Sequence, residues 1–227
     1  MGKIGQIQTD LGLTVEMYTS PVLSSNMYVL LSGGHALIID PHEDPCLRED
    51  VHVDLILLTH EHFDHISGIE HWRKLTGAPA MGSAACALGC KTAKGNLSRY
   101  SKMLYEFRTT ELVILPVAPF SVEIDKTYEG RDEFRWQGHS VVLFECPGHS
   151  PGGTGILVDE TLLFSGDSLF KDVETSCALP GGNRRDWIEK SLPKLLELSG
   201  DIRVLPGHYK PFLLSECGWW AKAKGAL

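Results

Sequence analysis

Residues 59–68 read THEHFDHISG, directly after the apolar run VDLILL at residues 53–58. Three histidines and one aspartate, His60, His62, Asp64 and His65, fall within six residues there. A short apolar run bounded by polar residues reads as a buried strand. Four such groups at its end carry a large desolvation cost unless metal ions or hydrogen bonds offset it. On an extended chain His60 and His62, two apart, point the same way, and Asp64 and His65 reach the opposite side of the same cavity as a helix begins. That arrangement has room for two metal sites.

The same pattern recurs three times downstream. VVLFECPG (141–148) delivers His149, TLLFSG (161–166) delivers Asp167, and IRVLPG (202–207) delivers His208. Strand ends in layered α/β folds gather along one edge, where loops converge on a site. A glycine just before the polar residue lets the backbone turn sharply or approach a neighbour closely. Taken singly, a strand-end histidine is more often a hydrogen-bonded loop residue, and a lone Gly-Asp says less still. The cluster at 60–65 together with the three later residues is what argues for metal.

Working outward, the rest of the chain reads as one domain over 1–227, without repeats, low-complexity tracts or long linkers. Strands are expected in LTVEMYTS (13–20), NMYVLLS (26–32), HALIIDP (35–41) and VDLILLTH (53–60), with SGG at 32–34 as a hairpin turn. A helix is expected over 66–76, with Ile66, Ile69, Trp72 and Leu75 on one face. Residues 84–110 read as a helix-rich excursion with Leu88, Leu97, Tyr100, Met103, Leu104 and Phe107 as apolar contacts, and with Tyr100, Met103 and Tyr105 as candidates to line a lid. Strands return at 111–119, 134–148, 154–170 and 201–208, and a helix over 185–199 is expected to kink or divide at Pro193. This order suggests a layered α/β domain with helices outside two sheets.

Composition narrows the function. The 227 residues are 43% hydrophobic with a formal net charge of -8. No basic stripe offers a surface to nucleic acid or an anionic membrane, so a small-molecule substrate is expected. No run approaches the roughly 20 apolar residues of a membrane span, no signal-peptide core follows the start, and Gln6 stands where a myristoylation signal places Ser or Thr. The expected location is cytoplasmic. Cys46, Cys86, Cys90, Cys146, Cys177 and Cys217 are scattered and read as mostly reduced. Cys86 and Cys90, one helical turn apart, read as buried thiols before a metal or redox pair. Trp219 and Trp220 read as cover for apolar surface, a homo-oligomer contact or a pocket rim being the alternatives.

These motifs resemble the metallo-β-lactamase superfamily, whose members carry THxHxDH followed by a lone His, a bridging Asp and a final His. All seven positions are filled here, and Asp40 in LIIDP matches a carboxylate that supports a ligand from behind. The resemblance spans roughly residues 13–210 and implies an α/β fold, the four-layer αββα sandwich. It implies that His60, His62 and His149 hold one metal, that Asp64, His65 and His208 hold the other, and that Asp167 bridges them. Two divalent ions are implied, zinc first, with iron or manganese accepted by the same nitrogen and oxygen donors. The chemistry expected is attack by a metal-bridging hydroxide on an acyl carbonyl, with Asp64 as the catalytic group that orients or relays the proton.

PGHSPGG (147–153) and LPGGN (179–183) look most like short relatives of the hydroxyacylglutathione hydrolases, the glyoxalase II group, which favours a thioester. Two departures stand against it. The chain stops soon after His208, without the helical domain on which such enzymes bind glutathione, and VETSCA (173–178) lacks their Gly-Arg pair. Lactonases similar to this sequence place Tyr where Phe170 stands, true zinc β-lactamases usually carry Cys where Asp167 stands, and flavodiiron proteins have Glu in place of His62. A lactonase or a phosphodiesterase is the alternative reading. A non-catalytic binding module fits poorly with seven intact ligands. Lys171, Arg184 and Arg185 are read as solvated surface charges, with contact to an anionic substrate as the alternative.

Overall fold

The computed structural model describes residues 4–43, 51–108 and 117–225, with side chains throughout except at 105–108. Seven strands form the first sheet in chain order: β1 (Gly5–Gln8), β2 (Thr14–Thr19), β3 (Asn26–Ser32), β4 (His35–Ile39), β5 (His52–Leu57), β6 (Ala80–Ser83) and β7 (Lys126–Tyr128). Six form the second: β8 (Arg131–Trp136), β9 (His139–Glu145), β10 (Thr154–Val158), β11 (Leu162–Gly166), β12 (Arg203–Pro206) and β13 (Phe212–Leu213), with β13 and β8 at its edges.

Side-chain alternation sorts the layers. On β3, Tyr28 and Leu30 face the second sheet while Met27 and Val29 face outward; on β4, Leu37 and Ile39 face in while Ala36 and Ile38 face out. From the other side Val141, Leu143, Ile156, Val158 and Phe164 close the inter-sheet core. The outer face of the first sheet is covered from α1 (Phe63–Ile66), α2 (Ile69–Thr76) and α3 (Ala84–Cys90), through Ile66, Ile69, Trp72, Cys86 and Cys90. After α4 (Ser101–Arg108) and α5 (Arg184–Asp186), the outer face of the second sheet is covered by Leu195 of α6 (Leu192–Glu197) and by Trp220 and Ala221 of α7 (Gly218–Ala223). The result is the helix–sheet–sheet–helix sandwich that the sequence suggests.

Strand direction decides where the site lies. β4 and β5 are parallel, so both finish at the same edge, at Asp40 and at Thr59–His60. In the second sheet β9 and β11 are each antiparallel to β10, and β12 is parallel to β11. Those three strands therefore run the same way and release His149, Asp167 and His208 at one edge. A hydrogen bond from Thr154 N–H to the Thr59 carbonyl (2.7 Å) and one from Asn26 N–H to the Gly207 carbonyl (2.7 Å) tie this edge to the end of β5 and the start of β3.

Several expectations change in detail. The helix expected over 66–76 is broken at Ser67 and Gly68, because Gly68 packs against the His42 backbone, where a Cβ would lie 2.5 Å from its carbonyl carbon. Within α2 Ile69 and Trp72 are buried, but successive steps of three residues fall short of a full helical turn, so Leu75 drifts off that face and is 58% exposed. The helix over 185–199 divides ahead of Pro193: Trp187–Ser191 is a π turn, with Leu192 N–H reaching the Trp187 carbonyl. Proline lacks the N–H that would continue the α ladder, and an i to i−5 turn accommodates the loss. Leu88 and Met103 are exposed, not apolar contacts. The side chains of Tyr105 and Phe107, residues 111–116 of the strand expected at 111–119, and Cys46 lie outside the described residues, while 117–119 are irregular. The SGG turn is present, with Gly33 and Gly34 both at positive φ as a two-residue hairpin requires. Among the described residues no helix is long and apolar enough to cross a membrane.

Candidate metal centre

All seven residues singled out in the sequence meet at the shared edge of the two sheets, and all seven are buried. Their donor atoms form two triads, His60–His62–His149 and Asp64–His65–His208, each with donors within 4.8 Å of one another. His149 Nε2 lies 3.0 Å from His62 Nδ1, and His208 Nε2 lies 3.4 Å from Asp64 Oδ2. Asp167 stands between the triads: its Oδ2 is 3.4 Å from both His149 Nε2 and His208 Nε2, and its Oδ1 is 3.6 Å from His65 Nε2. Donors around one tetrahedral zinc lie roughly 3–3.5 Å apart, so the spacing suits ions seated among them.

The tautomers follow from what lies behind each ring. Carbonyl oxygens only accept, so His149 Nδ1–H donates to the Ser176 carbonyl (2.8 Å) and His208 Nδ1–H to the Ser24 carbonyl (3.2 Å). His65 Nδ1–H donates to Asp40 Oδ2 at 3.0 Å. Thr59 Oγ1 gives its one proton to Asp40 Oδ2 (2.5 Å) and so accepts from His60 Nδ1–H (3.1 Å). In all four of these histidines Nδ1 makes the backing hydrogen bond and Nε2 is aimed into the site. His62 is turned the other way, with Nδ1 facing His149. Imidazoles oriented by a backing hydrogen bond are what metal ligation requires.

Polar accounting points the same way. His60 Nε2, His65 Nε2, Asp64 Oδ2 and Asp167 Oδ1 are buried with no hydrogen-bond partner. Buried donors and acceptors are nearly always paired, so four orphans within one cluster mark a place where something else completes them. Burial by itself raises a carboxyl, yet the surrounding histidines, His65 foremost for Asp64 and His208 foremost for Asp167, hold both carboxyls well below the usual carboxylate range. Burial and then neighbouring imidazoles lower His60 and bring His62 down to about 3, and burial lowers His149. His65 and His208 go the other way: burial opposes protonation, but Asp64 and Asp167 overcome it, and His208 rises to about 10. Two buried carboxylates here demand positive charge, which a proton or a metal cation can satisfy.

Asp40 organises the cluster from behind, as the sequence motif implies. It is buried at a left-handed φ of +52°, and its carboxylate also accepts from Thr59 N–H at 2.7 Å. Asp40→Ala strips the backing from His65 and Thr59 together. Metal affinity is expected to fall by about 10–100-fold, read by competition against a chromogenic chelator.

Glu61 is the residue that sequence reasoning passed over. It lies between His60 and His62, so the alternation that aims them into the site turns Glu61 away, into the protein. There its carboxyl accepts from Ser150 Oγ (3.0 Å) and Gly152 N–H (3.4 Å), fastening the turn that carries His149. Burial lifts its pKa to about 7, against the pull of these bonds. The available signal was a carboxylate at a position of the motif that alternation turns away from the metal. Glu61→Ala leaves both donors unsatisfied and is expected to cost about 1–3 kcal/mol with weaker metal retention. Glu61→Gln, which can still accept, should recover most of the melting temperature.

Other candidates settle into structural roles. Cys86 and Cys90 are buried in the outer core, where their mutual hydrogen bond and then burial raise Cys86, and Cys146 packs below the second sheet. Lys171, Arg184 and Arg185 pair with Glu216, Glu174 and Glu189 at the surface. Trp220 is buried with Nε1–H donating to the Leu195 carbonyl, and Trp219 meets Trp187 edge-on. From the excursion, Leu97 and Leu104 line the cavity beside the ligands, and Tyr100 and Met103 do not.

A family model described as the metallo-beta-lactamase superfamily matches residues 20–208. The chain belongs to the metallo-beta-lactamase superfamily. Within it, a hydroxyacylglutathione hydrolase of Cereibacter sphaeroides is 28% identical over 210 residues, spanning 86% of this chain and 67% of that protein. Among solved structures, the BLEG-1 B3 metallo-beta-lactamase superposes with a TM-score of 0.72 at 25% identity, covering 89% of this chain and 95% of that one. TTHA1623, solved in a di-iron-bound form, gives a TM-score of 0.66 at 25% identity, covering 88% and 95%. The superfamily binds metal ions, and the two donor triads are this member's candidate ligand groups.

Proposed function

We propose that this protein is a dinuclear metal-dependent hydrolase of acyl substrates, with thioesters first. The observation that carries the reading is the pair of donor triads with Asp167 between them, His60, His62 and His149 on one side and Asp64, His65 and His208 on the other. The di-iron form of one structural relative supports two ions, and the hydroxyacylglutathione hydrolase supports acyl transfer to water. Imidazole and carboxylate donors suit zinc, with iron or manganese as the alternatives. Two such ions would supply Lewis acidity toward the carbonyl and bring the pKa of a water molecule near neutrality.

The chain's own residues do the remainder. His60, His65, His149 and His208 are fixed by their backing hydrogen bonds, so little reorganisation accompanies reaction. Asp64 lines the cavity, with Oδ2 3.4 Å from both His65 Nε2 and His208 Nε2, and is placed to orient or relay a proton of the attacking water. A cavity of about 170 Å³ opens onto the ligands and sets the size of the group that enters. Phe170, buried with its ring 6.5 Å from that of His208, offers no hydroxyl to a lactone, which counts against that alternative.

The test is hydrolysis by metal-loaded protein of a panel: S-lactoylglutathione, a simple acyl thioester, a homoserine lactone, a β-lactam and a phosphodiester. Preference for a thioester is expected. Turnover of the phosphodiester alone would overturn the acyl reading.

A further inference from the structure

The cavity at the metal ligands is lined by two kinds of side chain. His62, Asp64, His149, Asp167, Ser176 and His208 are polar, and Leu23, Phe63, Leu97, Leu104 and Leu179 make up its apolar wall. No lysine or arginine lines it among the described residues. A charged group such as a glutathione carboxylate would find no basic side chain among the described lining residues, whereas a hydrocarbon chain would bury against five apolar side chains.

The backbone shows that this wall is held in place against local preference. Leu23 has φ +53° and Leu97 φ +63°, a left-handed conformation that bulky L-residues rarely adopt. Such residues persist where the surroundings over-determine them, and they concentrate at binding sites. Leu97 is pinned by buried Asn96, whose carbonyl accepts from Phe63 N–H (2.8 Å), whose Oδ1 accepts from Ser98 N–H (2.9 Å), and whose Nδ2 donates to the Phe120 carbonyl (2.9 Å). Leu23 belongs to a turn fixed by Val22 N–H on Ser20 Oγ (2.9 Å) and by Ser25 Oγ on the Asp64 carbonyl (2.8 Å). Ser24, next in that turn and also left-handed, gives the carbonyl that orients His208. One strained turn thus sets both a metal ligand and an apolar residue of the cavity.

We infer that this cavity is an acyl-chain subsite and that the substrates are thioesters of unbranched, uncharged aliphatic acids longer than acetate or lactate. The inference rests on the proposed hydrolase reading and adds the substrate class. In the reaction the water oxygen bonds to the acyl carbon and the C–S bond breaks with its electron pair going to sulfur. One water proton ends on the thiol, and the other is released as the product acid ionises.

The test uses metal-loaded full-length protein with the acetyl, butanoyl and hexanoyl thioesters of N-acetylcysteamine, beside S-lactoylglutathione. In parallel, the matching carboxylates are titrated in a calorimeter. Both kcat/KM and carboxylate affinity are expected to rise about fourfold per added methylene until the cavity is filled. Leu23→Gly and Leu97→Gly fit the left-handed backbone and remove the wall, so each should flatten that slope while metal content is unchanged. Leu23, half-buried, serves if the Leu97 variant fails to fold.

Thioester turnover with no dependence on chain length, or with lactoyl preferred, overturns the inference and leaves the hydrolase reading intact. Chain-length-dependent carboxylate binding with no thioester turnover sustains the subsite and overturns the reaction. An unchanged slope in Leu23→Gly overturns the assignment of the wall.

Discussion

Asp167→Ala is expected to lower bound metal to less than one ion per chain and to cut kcat/KM about a thousandfold, several kcal/mol of transition-state stabilisation. Asp167 is the residue on which both triads converge, with Oδ2 equidistant at 3.4 Å from His149 and His208 and Oδ1 beside His65. Its removal leaves Asp64 as the one carboxylate among the seven donors beside His65 and His208, and it parts the donors that the two ions would share. Asp167→Asn keeps the shape and removes the charge, so it should retain the fold and still lose most of the metal. Metal content by plasma mass spectrometry, paired with turnover on the same sample, checks both variants. An Asp167→Ala protein with its metal and rate intact would remove Asp167 from the centre. His62→Ala, which deletes the donor nearest His149, is expected to behave in the same way.

Gly207→Ala is the second large effect, and it acts through a single methyl group. A Cβ on Gly207 would lie 2.3 Å from Asp167 Oδ1, 2.8 Å from His65 Cε1 and 3.0 Å from the Gly166 carbonyl carbon. The backbone cannot retreat easily. Gly207 N–H donates to the Gly166 carbonyl (2.8 Å), and its own carbonyl accepts from Asn26 N–H (2.7 Å). Overpacking of this kind costs about 1–3 kcal/mol, or a melting temperature lower by about 2–4 °C per kcal/mol in a chain of this size. The side chains pushed aside, Asp167 and His65, both belong to the candidate centre, so metal content should fall as well. Gly218→Ala, where the added carbon meets open space, is the control and should leave both readings unchanged.

The site was legible in the sequence because its chemistry is written locally. HxHxDH places four donors around one strand end, and each later ligand follows a short apolar run and a glycine, so strand termination and donor placement coincide. The long strands were legible for the same physical reason: alternation on β3 and β4 sorts Tyr28 and Leu30 from Met27 and Val29. Short elements carry too few residues for a period. β6 (AMGS) and β7 (KTY) are recognisable as strands through their neighbours in the sheet, not through their own sequence. The 66–76 helix was misjudged at its start because the close approach of Gly68 to His42 is a tertiary fact. The cavity wall was misjudged for a related reason: left-handed Leu97 breaks the phase of the excursion and brings Leu97 and Leu104, instead of Tyr100 and Met103, to the cavity.

The most direct test of the central claim is the metal stoichiometry of the unaltered protein after reconstitution and removal of excess ion. Two divalent ions per chain are expected, one lost readily when either triad is truncated. No bound metal, or a single ion unaffected by changes at Asp64 or His208, would contradict it.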